Sequence, residues 1–114
     1  MKTKASISKH SLEWMPKKVW AQAKWAELHC RALAYLPMEG EQEWFDNFVE
    51  NIPCPHCLAH FRIFLEKNPP DFSSRPAFFR FTVCAHNYVS RSLGKPEMTV
   101  TEALLVHSGQ WQED

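Results

Sequence analysis

Between Val19 and Leu36 the apolar residues Val19, Ala23, Ala26, Leu33 and Leu36 recur at mostly helical spacing, and Pro37 with Gly40 closes the segment. This pattern predicts a first helix. Trp44, Phe45, Phe48, Val49 and Ile52 fall on a single stripe and predict a second, strongly amphipathic helix ending before Pro53. A third begins around Cys54-Pro55-His56-Cys57 and carries Cys57, Leu58, Phe61, Phe64 and Leu65 on one face until Asn68-Pro69-Pro70 stops it. Ser74 is placed to cap a fourth, whose first turn tolerates Pro76 because the missing N–H there has no helical partner anyway. Its inward face is Phe78, Phe81, Thr82, Ala85, Val89 and Ser92, and Gly94 with Pro96 ends it. Thr99 followed by Glu102 is a capping-box signature for a short fifth helix bearing Leu104 and Leu105. Nothing alternates as a strand would, so the chain reads as all-α. Residues 1–13 are polar and unpatterned and are expected to form a frayed or disordered arm, with residues 14–114 as the domain.

A length of 114 residues with 45% hydrophobic content encloses one core. Thirteen basic residues balance thirteen acidic ones, which removes the electrostatic case for a nucleic-acid partner. No apolar run approaches the roughly 18–20 residues that span a bilayer, and the lysine-bearing N-terminus lacks the apolar stretch of a signal peptide. The expectation is a soluble intracellular protein with no membrane association. Five Trp and eight Phe fit either a ring-filled core or a ring-lined site for a flat cofactor.

The chemistry centres on Cys54 and Cys57. With Pro55 at the first helical position, Cys54 is the N-cap and Cys57 lies in the first turn, where unpaired N–H groups and the helix dipole favour a thiolate. Such a pair is suited to redox work. A zinc module using Cys54, Cys57, Cys84 and His86 is one rival, although its Cys-x-His half is an uncommon spacing. A thioredoxin-like oxidoreductase without flavin is another, since Cys-Pro-His-Cys looks like that family's oxidising members, but no βαβ pattern surrounds the motif.

Five pieces in order carry a more specific resemblance: Trp-Ala-Glu-Leu-His at 25–29, Pro-Cys-x-x-Cys at 53–57 followed by His60-Phe61, Ser-Ser-Arg at 73–75, His-Asn-x-Val at 86–89, and Leu-Gly-Lys-Pro at 93–96. Together they resemble the Erv/ALR family of FAD-linked sulfhydryl oxidases, in the compact form found in large DNA viruses. The resemblance implies a four-helix bundle with a short fifth helix enclosing FAD, paired into a homodimer through its first two helices. It implies that Cys57 is the flavin-side cysteine and that Cys54 is attacked by the thiolate of a protein dithiol substrate or of a separate thiol carrier. Molecular oxygen then takes the electrons and leaves as hydrogen peroxide. Trp25, His29, His60, Cys84, His86, Asn87, Val89, Lys95 and Trp111 match the cofactor-binding positions, and no metal is implied. A viral source would place the protein in the host cytoplasm in preference to the mitochondrial intermembrane space.

The chain also departs from the family pattern. Val83 and Val100 stand where a structural disulfide is usual, Cys84 replaces a cofactor-contacting histidine, and Ser90 replaces the second asparagine of the His-Asn motif. No second cysteine pair is present to act as a shuttle, and Cys30 and Cys84 are expected to be non-catalytic.

Overall fold

The computed structural model describes residues 6–37 and 39–109. Among them are six helices and no strand: α1 (Lys9–Leu12), α2 (Lys17–Leu33), α3 (Glu41–Glu50), α4 (Pro55–Lys67), α5 (Arg75–Ser92) and α6 (Val100–Gly109). Contacts between side chains set the direction of each. Lys24 meets Phe48 and Arg31 meets Glu41, so α3 runs back along α2. His29 with Thr82 and Tyr35 with Phe78 make α5 antiparallel to α2, and His60 with Tyr88 and Phe64 with Phe81 make it antiparallel to α4. The result is an up-down-up-down four-helix bundle, flanked by α1 and α6.

The helix ends follow their local chemistry. Cys54 caps α4 with its sulfur accepting from Cys57 N–H at 3.2 Å, and Ser74 caps α5 by accepting from Ala77 N–H at 3.1 Å. Thr99 and Glu102 close the expected reciprocal box at the start of α6, at 2.8 and 3.1 Å. At the end of α5, Gly94 adopts φ 71° and its N–H bonds Arg91 O, while Lys95 N–H reaches back to Ser90 O. This left-handed exit satisfies carbonyls that the helix leaves open.

One expectation is corrected, and the α3 stripe is placed. The segment 6–13 is packed rather than frayed: Ser6 N–H donates to Asn47 Oδ1 at 2.7 Å, the Ser6 hydroxyl to the Glu27 carboxylate, and Lys9 N–H to Asn51 Oδ1. Leu12 is buried at the end of α1. These polar side chains find fixed partners on α2 and α3, which no periodicity within the arm reveals; residues 1–5 lie outside the described residues. The α3 stripe is also internal. Trp44, Phe45, Phe48 and Val49 are all buried within the single chain, with Phe45 against Phe72 and Phe81. These four side chains are committed to the core of the single chain.

Val83 is buried, and Val100 packs against the core cluster that contains it, so apolar burial occupies the positions of the expected bridge. Each valine contributes up to roughly 1.5–3 kcal/mol in this way.

Candidate functional site

The pair Cys54 and Cys57 opens α4, held as two thiols of unequal character. Burial alone would raise Cys54, but the hydrogen bond from the Cys57 thiol, the Cys57 N–H, the Lys17 ammonium and the His56 N–H outweigh it and hold it below the ordinary thiol range. Cys57 is pushed up by burial, by donating to Cys54 and by the Cys54 charge, with Lys17 opposing. Of the two thiols, Cys54 is therefore the first to give up its proton and Cys57 the one that keeps it longer.

Four residues on from Cys57, on the same helical face, Phe61 sets its edge against Trp25 of α2, with ring centroids 6.1 Å apart. Trp25 stacks on His86 of α5 at 4.2 Å with an interplanar angle of 7°. His29, fully buried one turn beyond Trp25, bonds His86 Nδ1 through Nε2 at 3.0 Å and Thr82 Oγ1 through Nδ1 at 2.9 Å. A cavity beside this ring cluster is lined by His29, Val83, His86, Asn87, Met98 and Ala103.

The structure thus brings Trp25, His29 and His86 together, with Asn87 on the cavity wall. The Asn87 carboxamide pairs with the Met98 backbone in both directions, at 2.7 and 2.8 Å, tying α5 to the segment before α6. His60, three residues after Cys57, faces Tyr88, whose hydroxyl lies 3.2 Å from His60 Nε2. Val89 is half-buried against the core. Cys84 and Lys95 are exposed, Cys84 on the outer side of α5 and Lys95 just past its glycine exit. Trp111 lies outside the described residues. Cys30 sits alone in α2, and burial raises its thiol.

Lys17, Thr82 and Tyr88 are the members that sequence reasoning did not assign. Thr82 was legible as an inward-facing position of α5, but its hydroxyl chemistry depends on a partner from α2. Among the described residues no group of three or more His, Cys, Asp or Glu is arranged to hold a metal ion, so the zinc set weighed from sequence is not assembled. The all-helical surroundings of the Cys pair likewise leave no thioredoxin-like core.

A helical bundle with a polarised Cys-x-x-Cys pair at the start of a helix that, one turn on, touches a stacked indole and two imidazoles defines the class as a helical dithiol protein. The family model for Erv1 / Alr matches residues 22–112, and the chain belongs to that family. The FAD-linked sulfhydryl oxidase of the Warthog isolate of African swine fever virus is 30% identical over 89 residues, spanning 73% of this chain and 75% of that protein. The FAD-linked sulfhydryl oxidase ERV1 of Oryza sativa is 43% identical over 44 residues, or 39% of this chain and 23% of that one. Among solved structures, a double cysteine-to-serine mutant of Erv1 from Saccharomyces cerevisiae shares the fold, with a TM-score of 0.75 over 86% of this chain and 88% of that one, at 22% identity. No helix of the described residues is long and apolar enough to cross a membrane.

Proposed function

We propose that this chain is an FAD-dependent sulfhydryl oxidase that forms disulfides in protein substrates, with Cys54 facing substrate and Cys57 facing the flavin. The observation that carries the reading is the polarised Cys54/Cys57 pair on α4, whose Phe61, one turn on from Cys57, touches Trp25 of the Trp25–His86–His29 ring cluster. The side chains present suit a flavin dinucleotide in kind: indole and imidazole rings, the Asn87 carboxamide, and the Lys95 ammonium near the exit of α5 for a phosphate.

A substrate thiolate attacks Cys54 Sγ of the oxidised pair, and the electron pair of the broken S–S bond leaves on Cys57 beside Lys17. The second substrate thiolate then attacks the substrate's own sulfur in the mixed disulfide and expels Cys54 as a thiolate. A sulfur whose thiol is held acidic leaves faster, which suits Cys54 to the substrate side. FAD, when bound, supplies the two-electron acceptor that reoxidises the pair and the route onward to molecular oxygen, with hydrogen peroxide as product.

Cys30 and Cys84 stand singly on α2 and α5, so the substrate dithiol, or a separate thiol carrier, meets Cys54 directly. A homodimer remains part of the reading on the strength of the family. Trp14 and Val19 give the outer surface near the start of α2 an apolar character that a second copy would cover.

Oxygen uptake with a small dithiol tests the proposal. Wild type should turn over, and Cys54→Ser and Cys57→Ser should each lose turnover while retaining FAD. Turnover that survives loss of either sulfur would contradict it.

A further inference from the structure

The stretch that joins α5 to α6 is held from α5 at successive points. Gly94 turns the chain out of the helix with φ 71°, and Lys95 N–H returns to Ser90 O at 2.8 Å. Arg91 pairs with Glu97 through two bonds, at 2.9 and 3.0 Å, but both side chains are exposed, where such a pair contributes little. Asn87 holds the far end of the stretch. Its Nδ2–H donates to Met98 O at 2.7 Å and its Oδ1 accepts from Met98 N–H at 2.8 Å, with both residues half-buried. A backbone carbonyl only accepts and a backbone N–H only donates, so these two partners fix which way the carboxamide points.

This clasp decides where Met98 lies. Met98 packs against the hydrophobic core and, with Ala103 of α6, lines the cavity whose other lining residues, His29, Val83, His86 and Asn87, belong to α2 and α5. The capping box of α6 begins one residue on, at Thr99, so a shift of Met98 carries the start of α6 with it. The clasp takes one N–H and one oxygen lone pair of the carboxamide, which leaves a second N–H and a second lone pair as its whole remaining capacity.

We propose that Asn87 is a positioning residue, whose carboxamide holds Met98 in the cavity wall beside His29 and His86 and acts on the cofactor through that wall, not by touching it. This rests on the FAD reading above and specifies it. Of the residues at the family's cofactor positions, Asn87 shapes the site from behind Met98.

Hydrogen exchange at the Met98 amide in ligand-free protein, and FAD affinity read by flavin fluorescence, test the two halves separately. Asn87→Leu keeps the size of the side chain and removes both bonds, whereas Met98→Ala keeps the backbone bonds and removes the wall. Asn87→Leu should speed exchange at Met98 by about tenfold, and Met98→Ala should leave it within about twofold of wild type. Asn87→Ala, which adds no apolar bulk, should match Asn87→Leu. Each single variant should weaken FAD binding by about tenfold, and Asn87→Leu combined with Met98→Ala should stay within about twofold of the weaker single, since no Met98 side chain is left to position. Unchanged exchange at Met98 in both Asn87 variants overturns the clasp. Losses that multiply to about a hundredfold would show that Asn87 meets the cofactor itself and overturn the positioning role, as would an FAD affinity unmoved in either single variant. Failure of wild type to bind FAD would refute the functional reading, and exchange at Met98 would still decide whether Asn87 holds the segment.

Discussion

Cys54 and Cys57 share one helix start, yet their surroundings divide the labour. The N-cap position was visible in the sequence because capping is local and Pro55 marks the first helical residue. The inequality was not, since it depends on burial and on Lys17, brought from the start of α2 by the fold. In the reduced protein, alkylation should reach Cys54 before Cys57, with a rate–pH midpoint for Cys54 below the roughly 8.5 of a free thiol. Lys17→Met should move that midpoint upward, as read by mass spectrometry of the labelled protein; a midpoint unmoved by the substitution would remove Lys17 from the site. Lys24 is a second residue no pattern marked. It is buried, donates from Nζ to Phe48 O at 2.6 Å, lies over the Phe48 ring, and is lowered to about 8 by burial, with Glu27 opposing. Its folded value lies below the unfolded one of about 10.4, so the unfolded chain binds more protons across that window and stability rises with pH. The unfolding free energy of wild type relative to Lys24→Met should increase from about pH 8 to about pH 10.4 in denaturant titrations. A flat difference would place Lys24 in a wetter setting.

Helix α3 was legible from its apolar stripe and α6 from its capping box, while in α4 and α5 cap and periodicity agree, so the local and tertiary preferences point the same way. The first long helix was located but shifted. It starts directly after Pro16 and stops at Leu33, before Leu36, because Tyr35 is drawn into tertiary bonds: its hydroxyl donates to Phe72 O and its carbonyl accepts from Arg75 Nε. Hydrophobic periodicity located the α3 stripe but could not tell a core from an interface, since both want the same apolar face. The structure settles its burial in the single chain, where Phe45 is packed among Phe48, Phe72 and Phe81. Phe45→Ala should cost about 3–5 kcal/mol in unfolding free energy. A folded variant of unchanged stability but altered association would return the stripe to the surface. Helix α1 was missed because it is a single short turn whose ordering comes from Glu27, Asn47 and Asn51. Leu12→Ala should destabilise by about 2–5 kcal/mol by the same measurement. A frayed arm would show almost no change.

At the scale of the whole molecule, α2, α4 and α5 meet through Trp25, Phe61 and His86, which joins the helix carrying the redox pair to the ring wall and its cavity. Family motifs made the ring wall legible in advance through Trp25, His29 and His86. The exposure of Cys84, the Met98 ledge engaged by Asn87, and the Thr82–His29 bond arise only when helices distant in sequence meet. The central claim is that electrons pass from the Cys54/Cys57 pair to a bound flavin, and an anaerobic dithiol titration followed by visible absorption tests it most directly. The protein should purify yellow with one FAD per chain, lose its flavin absorption as dithiol is added, and regain it on admission of air. A colourless protein that cannot be reconstituted with FAD, or a bound flavin that keeps its absorption while Cys54 and Cys57 are intact, would contradict the account.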